Sequence, residues 1–181
     1  MKKIVITGPE STGKSTLCKQ LAAHYNTRWV PEYAREYLLK HGMNYTYDDL
    51  LTIAKGQVAS EEKFIAEIRD QLHDNKNTLL FIDTEMYVMK VWCEFVFGNC
   101  HPWILKQVVD RSYDLYLLCN IDLPWTKDEL REYPDIESRQ KLYHIYKDIM
   151  VNQSVPWKEI SGNNEQRLQK AVKAVDELFA K

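Results

Sequence analysis

Eight residues near the start of the chain, Gly8-Pro9-Glu10-Ser11-Thr12-Gly13-Lys14-Ser15, have types and spacing that could do chemistry. They fit the pattern G-x-x-x-x-G-K-[ST], in which a loop wraps its backbone N–H groups around a phosphate. Gly8 and Gly13 permit the close approach, and a helix opening near Lys14 turns its positive end toward the anion. In this pattern the Lys14 ammonium reaches the β- and γ-phosphates, and the Ser15 hydroxyl joins the shell of a Mg2+ ion. Glu10, Ser11, Thr12 and Thr16 complete the expected nucleotide contacts.

A phosphate loop holds a nucleotide without saying what is done with it. A guanine-nucleotide switch needs Asp-x-x-Gly after its metal-site strand, but Asp83 is followed by Thr84, Glu85 and Met86. The nearest guanine-reading string, Asn75-Lys76-Asn77-Thr78, lacks its aspartate and precedes a strand. Phosphoryl transfer to a small acceptor demands something else, a lid that keeps water from the γ-phosphate. Residues 122–139 read as that lid, with Arg131 and Arg139 to steady the transferring group. Asp83 ends an apolar strand, where its carboxylate can hold a Mg2+-bound water, face the acceptor hydroxyl, or cap the next helix. Glu32, at the end of another strand, is a candidate base for the attacking hydroxyl, and Arg35 can pair with it or with a phosphate. Tyr33, Trp92, Trp103 and Trp125 are either core or stacking surfaces for a flat base; lid charges around Trp125 favour stacking there.

The rest of the chain must carry these groups to one place. Lys3–Thr7 is a short β-branched strand, and from Lys14 a helical pattern sets Leu17, Cys18, Leu21 and Tyr25 three or four apart. Arg28–Val30 is a strand stopped by Pro31. Glu32–Lys40 then reads as a helix with Tyr33, Ala34, Tyr37 and Leu38 on one face and Glu32, Arg35 and Glu36 on the other. Asp48–His73 is a long helix with Leu51, Ala54, Val58, Ile65, Ile68 and Leu72 inward, and Gly56 is a point where it can break. Asn75-Lys76-Asn77 is a turn. Strands follow at Thr78–Asp83, Asp114–Asn120 and Val155–Ile160, and helices at Glu85–Phe97, Pro102–Arg111 and Glu137–Met150. Asp122–Pro134 reads as a loop with one short helix, and a final helix buries Leu168, Val172, Val175 and Phe179. Alternating strands and helices predict one α/β domain over 1–181, a three-layer sandwich with a five-stranded parallel sheet covered on both faces.

Composition sets the outer limits. With 181 residues, 45% hydrophobic and 28% charged, the chain has the make-up of an ordinary folded domain. A net charge of −2 gives no bulk case for nucleic acid or an acidic membrane as partner. The four cysteines lack CxxC spacing, and Cys18 and Cys119 sit in apolar segments where a thiol acts as a small hydrophobe. There is neither a signal-like apolar start nor a run of ~18 apolar residues. The expectation is a reduced, cytoplasmic protein.

Several strings then occur in a telling order: Gly8 through Leu17, Glu32-Tyr33-Ala34-Arg35-Glu36-Tyr37, Ile53-Ala54-Lys55-Gly56-Gln57 and Phe81-Ile82-Asp83-Thr84. With Leu130-Arg131 and Ile160-Ser161-Gly162, they resemble the kinase domain of the bacterial NadR proteins of NAD salvage. The resemblance runs along essentially the whole chain. It implies ATP-dependent phosphorylation of the 5′-hydroxyl of nicotinamide riboside, giving nicotinamide mononucleotide. By position, the phosphate loop would hold ATP, while Glu32, Arg35, Gln57 and Asp83 would line the riboside pocket or serve the transfer. The turn Ser161-Gly162-Asn163 lies where the adenine ring would rest, with helix capping by Asn163 as the other use of that residue. Full-length NadR proteins carry an upstream adenylyltransferase portion and, in some, a DNA-binding helix-turn-helix. This chain opens on its first strand, so the kinase alone is expected.

Overall fold

The computed structural model describes residues 1–71 and 78–180. Its strands β1 (Lys2–Thr7), β2 (Arg28–Val30), β3 (Leu79–Asp83), β4 (Leu115–Cys119) and β5 (Trp157–Ile160) form one sheet in the order β2-β3-β1-β4-β5. All four pairings are parallel, with Ile4 opposite Phe81 on one side and Leu115 on the other. A parallel sheet must be covered on both faces, which is why β3 and β4 are buried at every position. Ile4 and Ile6 face helices α1 (Lys14–His24) and α7 (Asn164–Asp176). Val5 faces the opposite layer, with α3 (Tyr47–Gln71), α4 (Met86–Phe97) and α6 (Ile136–Asn152). A further apolar cluster joins α2 (Tyr33–His41) and α5 (Pro102–Asp110) to α3 and α4. The expected three-layer α/β sandwich is the observed one.

Three local expectations differ from the structure. Helix α3 runs unbroken through Gly56, because the Tyr33 ring lies where a side chain would stand; a Cβ there would meet Tyr33 Cε1 at 2.1 Å. Its phase buries Leu50, Ile53 and Ala54 fully and leaves Leu51 half-buried. The 122–135 segment contains no helix, only a turn at Glu129–Leu130 between prolines 124 and 134. The inner stripe of α7 is Arg167, Ala171, Ala174 and Val175, while Phe179 lies past its end and is exposed. Leu72 and the 75–77 turn lie outside the described residues.

The four cysteines are free and buried. Among the described residues no helix is long and apolar enough to cross a membrane.

Candidate active site

Parallel strands put their carboxyl ends on one edge, and β1 is flanked there by β3 on one side and β4 on the other. The phosphate loop leaves β1 at this edge. Gly8, at φ +131°, packs so closely on β4 that a Cβ would meet the Cys119 carbonyl oxygen at 2.8 Å. Ser11 and Gly13 take left-handed conformations, φ +55° and +79°, which turn successive N–H groups inward as an anion nest. Inside the loop, the Pro9 carbonyl accepts from the Thr12 hydroxyl and from Lys14 Nζ, each at 2.8 Å. Gly13 caps α1 without a side-chain bond, so the first N–H groups of that helix are free for phosphate oxygens.

Beside the loop, β3 ends on Asp83. Its side chain is 1% exposed, and neither carboxylate oxygen makes a hydrogen bond of ordinary geometry. Burial pushes its pKa up, with the Glu32 charge adding to the rise; Lys14 and the nearby Ser15 hydroxyl work against it. Helix α4 is capped by Glu85, whose carboxylate accepts from the Tyr87 N–H at 2.7 Å, so Asp83 is not spent on capping. Thr84, between the two acids, is held at φ +76° and lies 1% exposed. A β-branched residue there is strained, and its hydroxyl stands 3.5 Å from Glu32 Oε1. Glu32 is the N-cap residue of α2 but makes no side-chain cap bond.

The opposite wall is the segment after β4. Arg35 pairs with Asp128 through two bonds of 3.1 and 3.3 Å, and the Tyr45 hydroxyl donates to Glu132 at 2.8 Å. Arg131 donates to Ser11 Oγ at 3.1 Å. The edge of Phe95 meets Tyr133 at 5.2 Å, closing an apolar side with Val88, Val91, Trp92, Leu142 and Tyr146. The cavity of about 440 Å³ therefore brings together the cations Lys14, Lys19 and Arg131, the carboxylates Glu32 and Asp83 with those of Glu10, Asp128 and Glu132, and this aromatic side.

A family model described as an AAA domain matches residues 3–167. The chain belongs to the AAA domain family. It is 26% identical over 184 residues to the trifunctional NAD biosynthesis/regulator protein NadR of Salmonella typhimurium, a match spanning 99% of this chain and 43% of that protein. The chain thus spans less than half the length of the curated relatives it matches. Two solved structures share its fold. NadR protein in complex with NR superposes with a TM-score of 0.79 at 23% identity, and NadR protein in complex with NAD and AMP-PNP with 0.72 at 22%. Each covers 99% of this chain and 50% of the other.

Within this AAA-family site the structure sorts the residues singled out by sequence. Gly8 through Thr16, Glu32, Arg35, Asp83 and Arg131 all line the cavity. The Glu10 side chain turns to the 125–133 segment, and Thr12 is a fully buried brace of the loop. Arg139 does not line the cavity. It is 5% exposed and donates to the Ile121 and Leu123 carbonyls, because it falls on the buried stripe of α6 with Leu142, Tyr143 and Tyr146. Gln57 and Tyr33 are also withdrawn from it. Gln57 is 2% exposed; its Oε1 accepts from the Tyr33 N–H at 2.7 Å and its Nε2 donates to the Pro31 and Asp83 carbonyls at 3.3 and 3.4 Å. Trp125 lies outside the wall, its indole N–H 3.5 Å from Glu10.

At the other side of the loop, Asn163 caps α7 in a reciprocal box with Gln166, and Ser161 accepts from Lys170. The Gly162 N–H donates to Asp122 at 2.5 Å. Sequence reasoning missed Arg167, which joins this turn to the phosphate loop. It is 3% exposed and donates to the carbonyls of Gly162, Asn120 and Thr12 at 2.8 to 2.9 Å, and it pairs with Asp122. An arginine in register with Ala171, Ala174 and Val175 was the available signal.

Proposed function

We propose that this chain is a kinase that transfers the γ-phosphate of ATP to the 5′-hydroxyl of nicotinamide riboside, giving nicotinamide mononucleotide, with residues 1–181 as one kinase domain and 122–135, the part of the expected 122–139 lid that precedes α6, as its lid. The observation that carries this is a single cavity holding a phosphate loop, the Glu32 and Asp83 carboxylates, and an aromatic wall. The NadR relative named for NAD biosynthesis, and the NadR structures with NR and with AMP-PNP, support the acceptor and the donor. A flat cationic ring suits a cavity lined by Trp92, Phe95 and Tyr133 with the acids Asp128 and Glu132.

Asp83 and Ser15 are the residues that would hold Mg2+. Two buried carboxylate oxygens without hydrogen bonds, beside a hydroxyl, form the hard oxygen set that this ion takes. When bound, the ion neutralises charge on the β- and γ-phosphates. Lys14 and the loop N–H groups hold the phosphates, Arg131 meets the equatorial oxygens, and Glu32 accepts the hydroxyl proton as the acceptor oxygen attacks in line. Adenine would rest by the 161–163 turn that Arg167 fixes to the loop.

The test is ADP release from Mg-ATP by the purified chain, with and without nicotinamide riboside, beside a panel of ordinary nucleosides. Acceptor-dependent ADP matched by the mononucleotide in mass spectra is the expected result. Turnover with a different nucleoside would move the substrate. ADP release indifferent to every acceptor would overturn the kinase.

A further inference from the structure

A carboxylate inside a phosphate loop is an unwelcome charge for the anion that the loop must hold. Glu10 resolves this by turning outward. Its Oε1 accepts from the Tyr133 N–H at 2.7 Å and the Trp125 indole N–H at 3.5 Å, and its Oε2 accepts from the Glu132 N–H at 3.0 Å. Its neighbour Ser11 extends the same grip, accepting from the Thr126 N–H and from Arg131, each at 3.1 Å. Every one of these partners lies in the 125–133 segment, and Arg131, Glu132 and Tyr133 are themselves walls of the cavity.

We infer that Glu10 is a positioning residue, the latch by which the phosphate loop holds the acceptor wall shut against water. Hydrogen bonds from backbone N–H groups to a carboxylate are charge-assisted and stronger than neutral ones. A carboxylate beside bound phosphate is most costly when its oxygens are bare, so filling the loop favours the latched wall. The same side chain thus ties occupancy of the donor site to closure over the acceptor. When the latch is lost, water replaces the acceptor hydroxyl: its oxygen bonds to the γ-phosphorus, and the bond to the β-bridging oxygen breaks. ADP then leaves with that electron pair, and a proton from the water passes to solvent.

The experiment uses the full chain with Glu10→Ala and Glu10→Gln. The first readout needs no ligand: trypsin cleavage after Lys127, which is exposed in this segment. Glu10→Ala is expected to be cut about tenfold faster, the factor that 1.4 kcal/mol of lost charge-assisted bonding gives. Glu10→Gln, which keeps one accepting oxygen, falls between the two, and the thermal midpoint falls by no more than about 3–6 °C, too little for global unfolding to account for the cleavage. The second readout rests on the proposed kinase reaction and is the ratio of acceptor-free ADP release to transfer, expected to rise about tenfold in Glu10→Ala. Unchanged cleavage at Lys127 overturns the latch whatever the substrate is. Faster cleavage with an unchanged ratio overturns its role in excluding water. If the parent chain phosphorylates no acceptor, the kinase assignment fails, and the Lys127 result alone decides the latch.

Discussion

Gln57→Leu separates two roles that one buried amide could have. Gln57 is 2% exposed, and its best bond is the 2.7 Å contact from the Tyr33 N–H. That donor is the first N–H of α2, which the Glu32 side chain leaves uncapped. Leucine fills nearly the same space and cannot accept, so the substitution leaves a buried N–H without a partner, at a cost of about 1–3 kcal/mol. The bonds to the Pro31 and Asp83 carbonyls, at 3.3 and 3.4 Å, are long and add less than about 1 kcal/mol each. The sum is about 1–5 kcal/mol, which lowers the urea midpoint by about 0.5–2.5 M at a slope of about 2 kcal/mol/M.

The same three bonds fix the backbone on both sides of Glu32 and at Asp83. Freeing them displaces the two carboxylates relative to each other, and a misplacement near 1 Å costs on the order of 10²-fold in rate. Steady-state transfer at saturating ATP is therefore expected to show kcat down by about 10- to 100-fold, with the acceptor KM within about threefold of the parent. A residue that touches the acceptor gives the opposite split. Unchanged kcat with a KM raised about tenfold would return Gln57 to the acceptor pocket and refute its bracing role.

Thr84→Gly is expected to leave the thermal midpoint within a few degrees of the parent, since relief of a strain of about 1–2 kcal/mol offsets the added freedom of glycine and the loss of a small buried side chain. Its kcat should nevertheless fall while Thr84→Ser keeps it; a midpoint lowered by several degrees, read by calorimetry, would show that the φ of +76° is not strained. Glu32→Gln should lower kcat by on the order of 10²-fold, whereas Asp83→Asn should chiefly raise the Mg2+ concentration for half-maximal rate. A Mg2+ titration of both variants checks this, and a normal kcat in Glu32→Gln transfers the base to Asp83. Burial, with the Glu61 charge behind it, pushes Glu85 up to about 8 from an ordinary 4.5. Because the folded value is the higher one, its contribution is fully present below 4.5 and is lost as pH rises toward about 8. The decline is at most about 1.4 kcal/mol per pH unit. Urea unfolding across that range should show the slope in the parent chain and its loss in Glu85→Gln.

What was legible in the sequence followed from local pattern. The phosphate loop is contiguous, so its glycines, Lys14 and Ser15 declared themselves, and the continuous apolar runs Leu79–Ile82 and Leu115–Cys119 marked doubly covered strands. Side-chain direction was not legible. Arg131 and Arg139 stand in one charged stretch, yet one lines the cavity and the other is buried among the α6 side chains. Nothing local showed Arg167 turning inward, nor that Gln57, placed at the riboside pocket by resemblance alone, is buried behind it. All three polar residues sit on the apolar stripe of a helix, where they are buried and spend their hydrogen bonds on backbone carbonyls or N–H groups. Thr84 gave no warning either, since nothing local asks a β-branched residue to adopt positive φ.

The strand order has a consequence for how such a site can change. With β1 at the centre, Glu32, Asp83 and the α4 aromatics all descend from the β2-β3 side of the sheet, while Asn120, Asp122 and the Arg167 clamp descend from the β4-β5 side. The two flanks of the cavity thus come from different halves of the sheet, and they meet at the loop after β1, the segment it grips and the α6 side chains Leu142 and Tyr146. On the proposed kinase reading, substitutions in α4 change the acceptor end without touching the Arg167 clamp. The contacts of Arg167 to the phosphate loop and the 162 turn then stay as they are.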